Sequence, residues 1–182
     1  MKTIYFDNNA TTQVADEVYQ AMEPYFRSLY GNPSSMHTFG GQVGIKVREA
    51  RESVARLLGC DPSEIIFTSC GTESDSTAIL GTLSAVPHRR KVITTRVEHP
   101  AVLTVCRDLE SRGYTVIELS VDKLGRLDLS ELEHHLDDDT ALVTIMYANN
   151  ETGVIFPIDQ IAERVRSEER RVGKEGRSRW AP

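Results

Sequence analysis

The sequence predicts an α/β protein with a largely parallel sheet flanked by helices. Three observations carry this expectation. From Glu64 onward, short β-branched runs alternate with helical stretches four times in succession, the order that sets parallel strands beneath crossover helices. The runs are apolar on both alternations, as strands covered on two faces are. A chain of 182 residues, 40% apolar and 26% charged, is also long enough to enclose one ordinary core.

Taken in order, a short apolar start at Ile4–Phe6 precedes VADEVYQAMEPYF (14–26), which reads as a helix interrupted at Pro24. YGNPSS (30–35) reads as a turn. Val43, Val47, Ala50, Val54, Leu57 and Leu58 recur at three- and four-residue steps, the stripe of an amphipathic helix. Arg48/Glu52 and Glu52/Arg56 are placed to pair on its outer side, and Gly59 ends it. Beyond Pro62 the predicted strands are EIIFT (64–68), KVITT (91–95), YTVIELS (114–120) and ALVTIMYA (141–148). The helices between and after them are ESDSTAILGTLSA (73–85), PAVLTVCRDLESR (100–112), LSELEHHL (129–136) and IDQIAERVR (158–166). The expected organisation is an N-terminal segment (1–13), a helical segment (14–60), a partial α/β layer (61–167) and a tail (168–182).

Composition narrows the function. A net charge of −6 disfavours nucleic acid, whose phosphates demand a surplus of Lys and Arg. No run of about 18 apolar residues offers a membrane span. MKTIYFDNN lacks the apolar core of a signal peptide, so the expected location is cytoplasmic. Cys60, Cys70 and Cys106 form no C-x-x-C pair and suit reduced thiols in core or loop rather than disulfides or a zinc knuckle. No resident metal site is expected.

In open parallel sheets, ligands gather at the carboxyl ends of strands. Three polar clusters fall there: SCGTES after EIIFT, RVEHP after KVITT and ANNETG after ALVTIMY. At the first, a helix start offers unpaired N–H groups and a positive dipole end. Gly71 keeps bulk away, Thr72 adds a hydroxyl, and Thr68, Ser69 and Ser74 lie close in sequence. The alternative is an ordinary N-cap at Thr72, with Glu73 and Asp75 favouring the dipole. At the second, Pro100 suits the first helical turn and places His99 at or near the N-cap, where a neutral ring is favoured. That ring either caps the helix or lies against an aromatic ligand and moves protons. At the third, Asn149 and Asn150 are either turn residues before Gly153 or carboxamide donors to a ligand phenolate. A phosphate cradle, a stacking imidazole and an amide donor together suit pyridoxal phosphate.

The wording of DNNATT (7–12), YGNPSSMHTFG (30–40), FTSCGTESDSTAI (67–79), VITTRVEHPAVL (92–103) and YANNETGVIFPI (147–158) resembles the cysteine desulfurases of the class V aminotransferase family. TSCGTESDSTAI is most similar to the nitrogen-fixation, NifS-type branch. The resemblance runs from about residue 3 to residue 166. It implies the large domain of a fold-type I pyridoxal phosphate enzyme, truncated, and normally a homodimer. It also implies removal of sulfur from L-cysteine to give alanine and an enzyme persulfide, with an iron–sulfur scaffold protein as acceptor. On this chain Gly71 and Thr72 would hold the cofactor phosphate, and His99 would stack on the ring and assist proton transfer. Asn150 would meet the phenolate oxygen, and Asn8, Asn9, Ala10 and Thr11 would lie near the substrate pocket. A selenocysteine lyase, another class V aminotransferase, or a noncatalytic dimer-forming module are the alternatives.

Family members continue with an aspartate-bearing strand, a Ser-Gly-His-Lys segment whose lysine binds the cofactor, and a persulfide cysteine. The five lysines here, Lys2, Lys46, Lys91, Lys123 and Lys174, lie outside such a motif, so the chain alone is expected to be inactive. Residues 168–182 hold five basic and three acidic side chains against sixteen and twenty-four before them, +2 against −8. EERRVGKEGRSRW resembles a translated sequencing adapter apart from Gly176, and the expectation is a non-native tail rather than a basic arm for an acidic partner.

Overall fold

The structure is a computed structural model that describes residues 4–8 and 10–172, with the backbone alone for 167–172. The tail expected over 168–182 lies outside the described residues beyond Val172. The described chain forms two compact units, one ending at Phe67 and the other beginning at Thr68.

In the first unit, helix α1 spans Asp16–Arg27 and runs through Pro24 without interruption. Pro24 stands in the last turn, where the one bond its missing N–H forfeits matters least. Its carbonyl accepts from both Ser28 N–H (2.9 Å) and Leu29 N–H (2.8 Å), which closes the helix. Asp16 and Glu17 at the start and Arg27 at the end oppose the dipole favourably.

Helix α2, Thr38–Leu58, begins five residues before its apolar stripe because His37 caps it, Nδ1 accepting Gly40 N–H at 3.1 Å. Gly59 closes it in the left-handed region at φ 69°, as the sequence predicts. The surface pair on this helix is Lys46–Glu49 at 2.8 Å, in place of the expected Arg48/Glu52 and Glu52/Arg56 pairs. Exposed pairs gain so little over solvation that sequence spacing does not select among them.

A Cβ on Gly40 would come within 2.6 Å of the Asn32 carbonyl oxygen and 2.8 Å of Ser35. Gly40→Ala is therefore expected to destabilise by about 1–3 kcal/mol, overpacking outweighing the roughly 1 kcal/mol that alanine gains in a helix. Urea unfolding measures it, and a variant more stable than wild type would refute the close approach.

The strand expected at 64–68 does not form. Asp61 instead caps a 3₁₀ turn at Pro62–Glu64, accepting from Ser63 N–H (2.8 Å), while Glu64 Oε2 accepts from Asp61 N–H (2.7 Å). Ile65 and the residues after it have no ladder partner among the described residues. A β-prone run without a neighbour to pair with stays an extended segment. Arg51 holds it, Nε donating to the Ile65 carbonyl at 3.2 Å and the guanidinium lying 5.1 Å from the Phe67 ring centroid.

The second unit is a three-layer α/β sandwich. Strands β1 (Lys91–Thr95), β2 (Thr115–Leu119) and β3 (Thr140–Val143) form a parallel sheet in the order β2-β1-β3. Helices α3 (Gly71–Ala85), α4 (Pro100–Ser111), α5 (Leu129–His135) and α6 (Ile158–Val172) follow the predicted order. Consecutive strand residues face opposite ways, and β1 shows the result. Val92 joins Ile79 and Leu83 of α3 and Val102, Cys106 and Leu109 of α4. Ile93 joins Leu119 of β2, Leu132 of α5 and Ile161 of α6. Helices thus cover both faces, which is why the strands read as continuous apolar runs.

Strand β3 is shorter than the predicted 141–148. Thr144 N–H still donates to the Ile93 carbonyl at 2.9 Å, but Met146 N–H turns to the Glu98 carboxylate, and the chain leaves the sheet there. Among the described helices none is long and apolar enough to cross a membrane.

Candidate functional site

All three polar clusters belong to the second unit or begin at its edge. Helix α3 starts at Gly71 with Cys70 as its N-cap residue in extended backbone, so Thr72 is the second helical residue and not the cap. The capping alternative for Thr72 is thereby removed. The first intrahelical bond runs from Ser74 N–H to the Cys70 carbonyl (3.1 Å), which leaves the Gly71, Thr72 and Glu73 amides ahead of the ladder.

The neighbouring hydroxyls are bonded to one another and to Glu73. Ser69 donates through both N–H and Oγ to the Glu73 carboxylate, each at 2.6 Å, and this holds the Glu73 carboxyl below its usual range. Thr68 Oγ1 and Ser74 Oγ meet at 2.6 Å. A Cβ on Gly71 would meet nothing within 4 Å. Crowding by the protein therefore does not demand glycine there, and the exposed side of the first turn is open. Open space, leading amides, a positive helix end and the exposed Thr72 side chain are what a phosphate requires, so the residues present fit one.

The Cys70 thiol sits on the same turn. The Glu73 amide, with Ser69 Oγ and the Thr72 amide behind it, pulls its pKa below the ordinary thiol value. Cys106, wholly buried in α4, is pushed up to about 11 by burial, with Glu118, Glu98 and Glu110 adding to the effect. A lowered pKa enlarges the thiolate fraction at neutral pH and a raised one removes it. Iodoacetamide at pH 7.5 is therefore expected to label Cys70 at least about tenfold faster than Cys106. Peptide mass spectrometry checks this, and equal rates in folded protein would refute it.

His99 is the N-cap of α4, with Pro100 at the first helical position. Its Nδ1 accepts Ala101 N–H at 3.1 Å, which turns that lone pair to the helix and leaves Nε2 outside this bond, on a residue that is exposed. Capping and ligand contact use different parts of this ring, so the two sequence readings do not compete.

The loops after β1 and β3 are bonded to each other. Glu98 is buried, and its Oε1 accepts from Met146 N–H (2.9 Å) and Thr95 Oγ1 (3.0 Å). Burial raises its carboxyl above the usual range, the two donors oppose that rise, and Asp75 of α3 adds to it. Asn149, also buried, donates from Nδ2 to the Val97 carbonyl (3.0 Å), and its Oδ1 accepts from Glu151 N–H (3.0 Å), Thr152 N–H (2.9 Å) and Thr152 Oγ1 (3.1 Å). With its carboxamide committed, Asn149 shapes the turn, and the adjacent Asn150 is exposed with Nδ2 bonded to Glu151 Oε1 at 2.9 Å. The structure therefore brings the His99 and Asn150 loops together directly.

Sequence reasoning missed Glu98. The available signal was an acid beside His99 in a loop otherwise suited to ligand contact. Asn8, Ala10 and Thr11 are exposed residues of the first unit, where Ala10 N–H donates to the Asp7 carbonyl at 3.2 Å. Asn9 lies outside the described residues. Among the described residues no three His, Cys, Asp or Glu side chains are placed to hold a metal ion.

Fold and site together define a class V aminotransferase architecture: residues 4–172 match the aminotransferase class-V model, and the chain belongs to that family. It is 64% identical over 166 residues to the cysteine desulfurase of Trichormus azollae, covering 91% of this chain and 42% of that protein. It is 60% identical over 163 residues to the cysteine desulfurase NifS of Azotobacter vinelandii, covering 89% and 40%. Among solved structures, a NifS-like protein superposes with a TM-score of 0.88 at 43% identity, covering 92% of this chain and 46% of that one. SspA in complex with cysteine superposes at 0.85 and 34% identity, covering 92% and 48%. The chain thus spans about two fifths of the length of the curated relatives it matches.

Proposed function

We propose that this chain carries the phosphate-binding portion of a pyridoxal phosphate-dependent cysteine desulfurase. The observation that supports it best is the first turn of α3, where the Gly71, Thr72 and Glu73 amides precede the intrahelical ladder and the space beside the Gly71 Cα is open. The relatives named cysteine desulfurase, and the cysteine-bound SspA among the structural neighbours, favour L-cysteine as substrate.

In this reading Gly71 and Thr72 bind the phosphate. His99, fixed at Nδ1 by the α4 amide, would stack on the cofactor ring and assist proton transfer through Nε2. Asn150 would donate to the ring phenolate, and the family resemblance assigns Asn8, Asn9, Ala10 and Thr11 to the substrate side. When bound, the cofactor withdraws electron density from the substrate Cα. The products are alanine and an enzyme persulfide, which a homodimeric cytoplasmic enzyme passes to an iron–sulfur scaffold protein.

The test uses a protein carrying this segment at the length of its relatives. Loaded with pyridoxal phosphate, it is expected to release alanine and, with a reductant, sulfide from L-cysteine. His99→Ala is expected to slow turnover about 10²–10⁴-fold while the cofactor stays bound. Loaded protein that leaves cysteine unchanged would overturn the reading.

A further inference from the structure

The geometry points to Glu98 and Asn149 as positioning residues that hold the His99 loop in register with the Asn150 loop. Two bonds cross between these loops, each from a side chain of one loop to the backbone of the other, with both donors in the loop after β3. Glu98 Oε1, from the β1–α4 loop, accepts Met146 N–H at 2.9 Å, and Asn149 Nδ2, from the loop after β3, donates to the Val97 carbonyl at 3.0 Å. Each anchor is itself tied to its own loop. Glu98 also accepts Thr95 Oγ1 at the end of β1, and Asn149 Oδ1 accepts two backbone amides and the Thr152 hydroxyl. Both are buried, whereas His99 and Asn150, their immediate sequence neighbours, are exposed.

The pattern repeats in the two loops: one buried residue makes the cross-link, and the next residue presents its side chain outward. Because sequence neighbours are one peptide apart, fixing 98 against 146 and 149 against 97 fixes where His99 and Asn150 stand relative to each other. Both bonds are part-buried and each has one partner in a buried side chain, which makes them costlier to break than exposed ones, so the spacing is held before any ligand arrives. As a device for aligning cofactor contacts, this rests on the function proposed above. As a clamp between two loops, it stands on the two bonds alone.

The variants separate the parts. In the relative-length protein, Glu98→Ala removes the acceptor, and Glu98→Gln restores one through its amide oxygen. Asn149→Asp keeps the Oδ1 acceptor for the Glu151 and Thr152 amides but replaces the Nδ2 donor facing the Val97 carbonyl.

Amide exchange read by NMR or mass spectrometry is expected to quicken about tenfold or more at Met146 in Glu98→Ala and to return toward wild type in Glu98→Gln. Asn149→Asp should leave Glu151 and Thr152 protected. With pyridoxal phosphate bound, Glu98→Ala and Asn149→Asp should each change the visible circular dichroism of the cofactor, and Glu98→Gln should not. Unchanged exchange at Met146 in Glu98→Ala would overturn the clamp. Faster exchange with unaltered cofactor ellipticity would overturn its positioning role. If wild-type protein takes up no pyridoxal phosphate, the proposed function has failed, and the exchange comparison alone then decides the clamp.

Discussion

Thr72→Glu is expected to strip the protein of pyridoxal phosphate. The substitution sets a carboxylate on the first turn of α3, beside the amides proposed to hold the phosphate. Two like charges about 4 Å apart repel by about 4 kcal/mol at the effective dielectric of a protein surface, close to a thousandfold in affinity. The helix does not share the penalty, because an acidic side chain in a first turn is favoured by the dipole. Loss of cofactor with an unchanged melting temperature therefore isolates the seat from the fold. Thr72→Ser keeps the hydroxyl and is expected to bind nearly as wild type does. Absorbance of bound cofactor after dialysis measures all three proteins, and undiminished retention by Thr72→Glu would show that the phosphate lies elsewhere.

Ile93→Ala carries the largest expected effect on stability. Ile93 has no solvent exposure, occupies the middle of the central strand, and packs against Leu119, Leu132 and Ile161 from three other elements. Truncating such a side chain loses its transfer energy and leaves a cavity that backbone bonded on both edges cannot collapse to fill, a cost of about 2–5 kcal/mol. Leu124, in the turn after β2 and 65% exposed, is the control. Leu124→Ala is expected within about 0.5 kcal/mol of wild type. Urea unfolding followed by circular dichroism distinguishes them, and similar midpoints would refute the central place of β1.

Much of this arrangement was legible in the residues. KVITT is β1 without a shift of boundary, and Pro100 placed His99 at the α4 N-cap. Both are local: a short β-branched run between turn signals, and a proline that fits only a first turn. EIIFT satisfied the same local rule and failed, because pairing needs a second strand. Pro24 failed the other way, since a proline interrupts a helix only where the bond it removes is needed.

Within the site, residue types alone left Thr72 as cap or ligand donor and Asn149 and Asn150 interchangeable. The start of α3 at Gly71 removes Thr72 as the cap, and bonds to Val97, Met146, Glu151 and Thr152 tie the Asn149 carboxamide to its surroundings.

The sequence by itself determined the alternation of strand and helix, the family, and the stretches where polar groups gather after the strands, because periodicity and motif wording are properties of neighbouring residues. Only the tertiary structure decided that β1 lies between β2 and β3, that Glu98 is buried, and that the loops carrying His99 and Asn150 are bonded to each other. Those are contacts between residues 24 to 52 positions apart, and their energies depend on burial that no local pattern encodes.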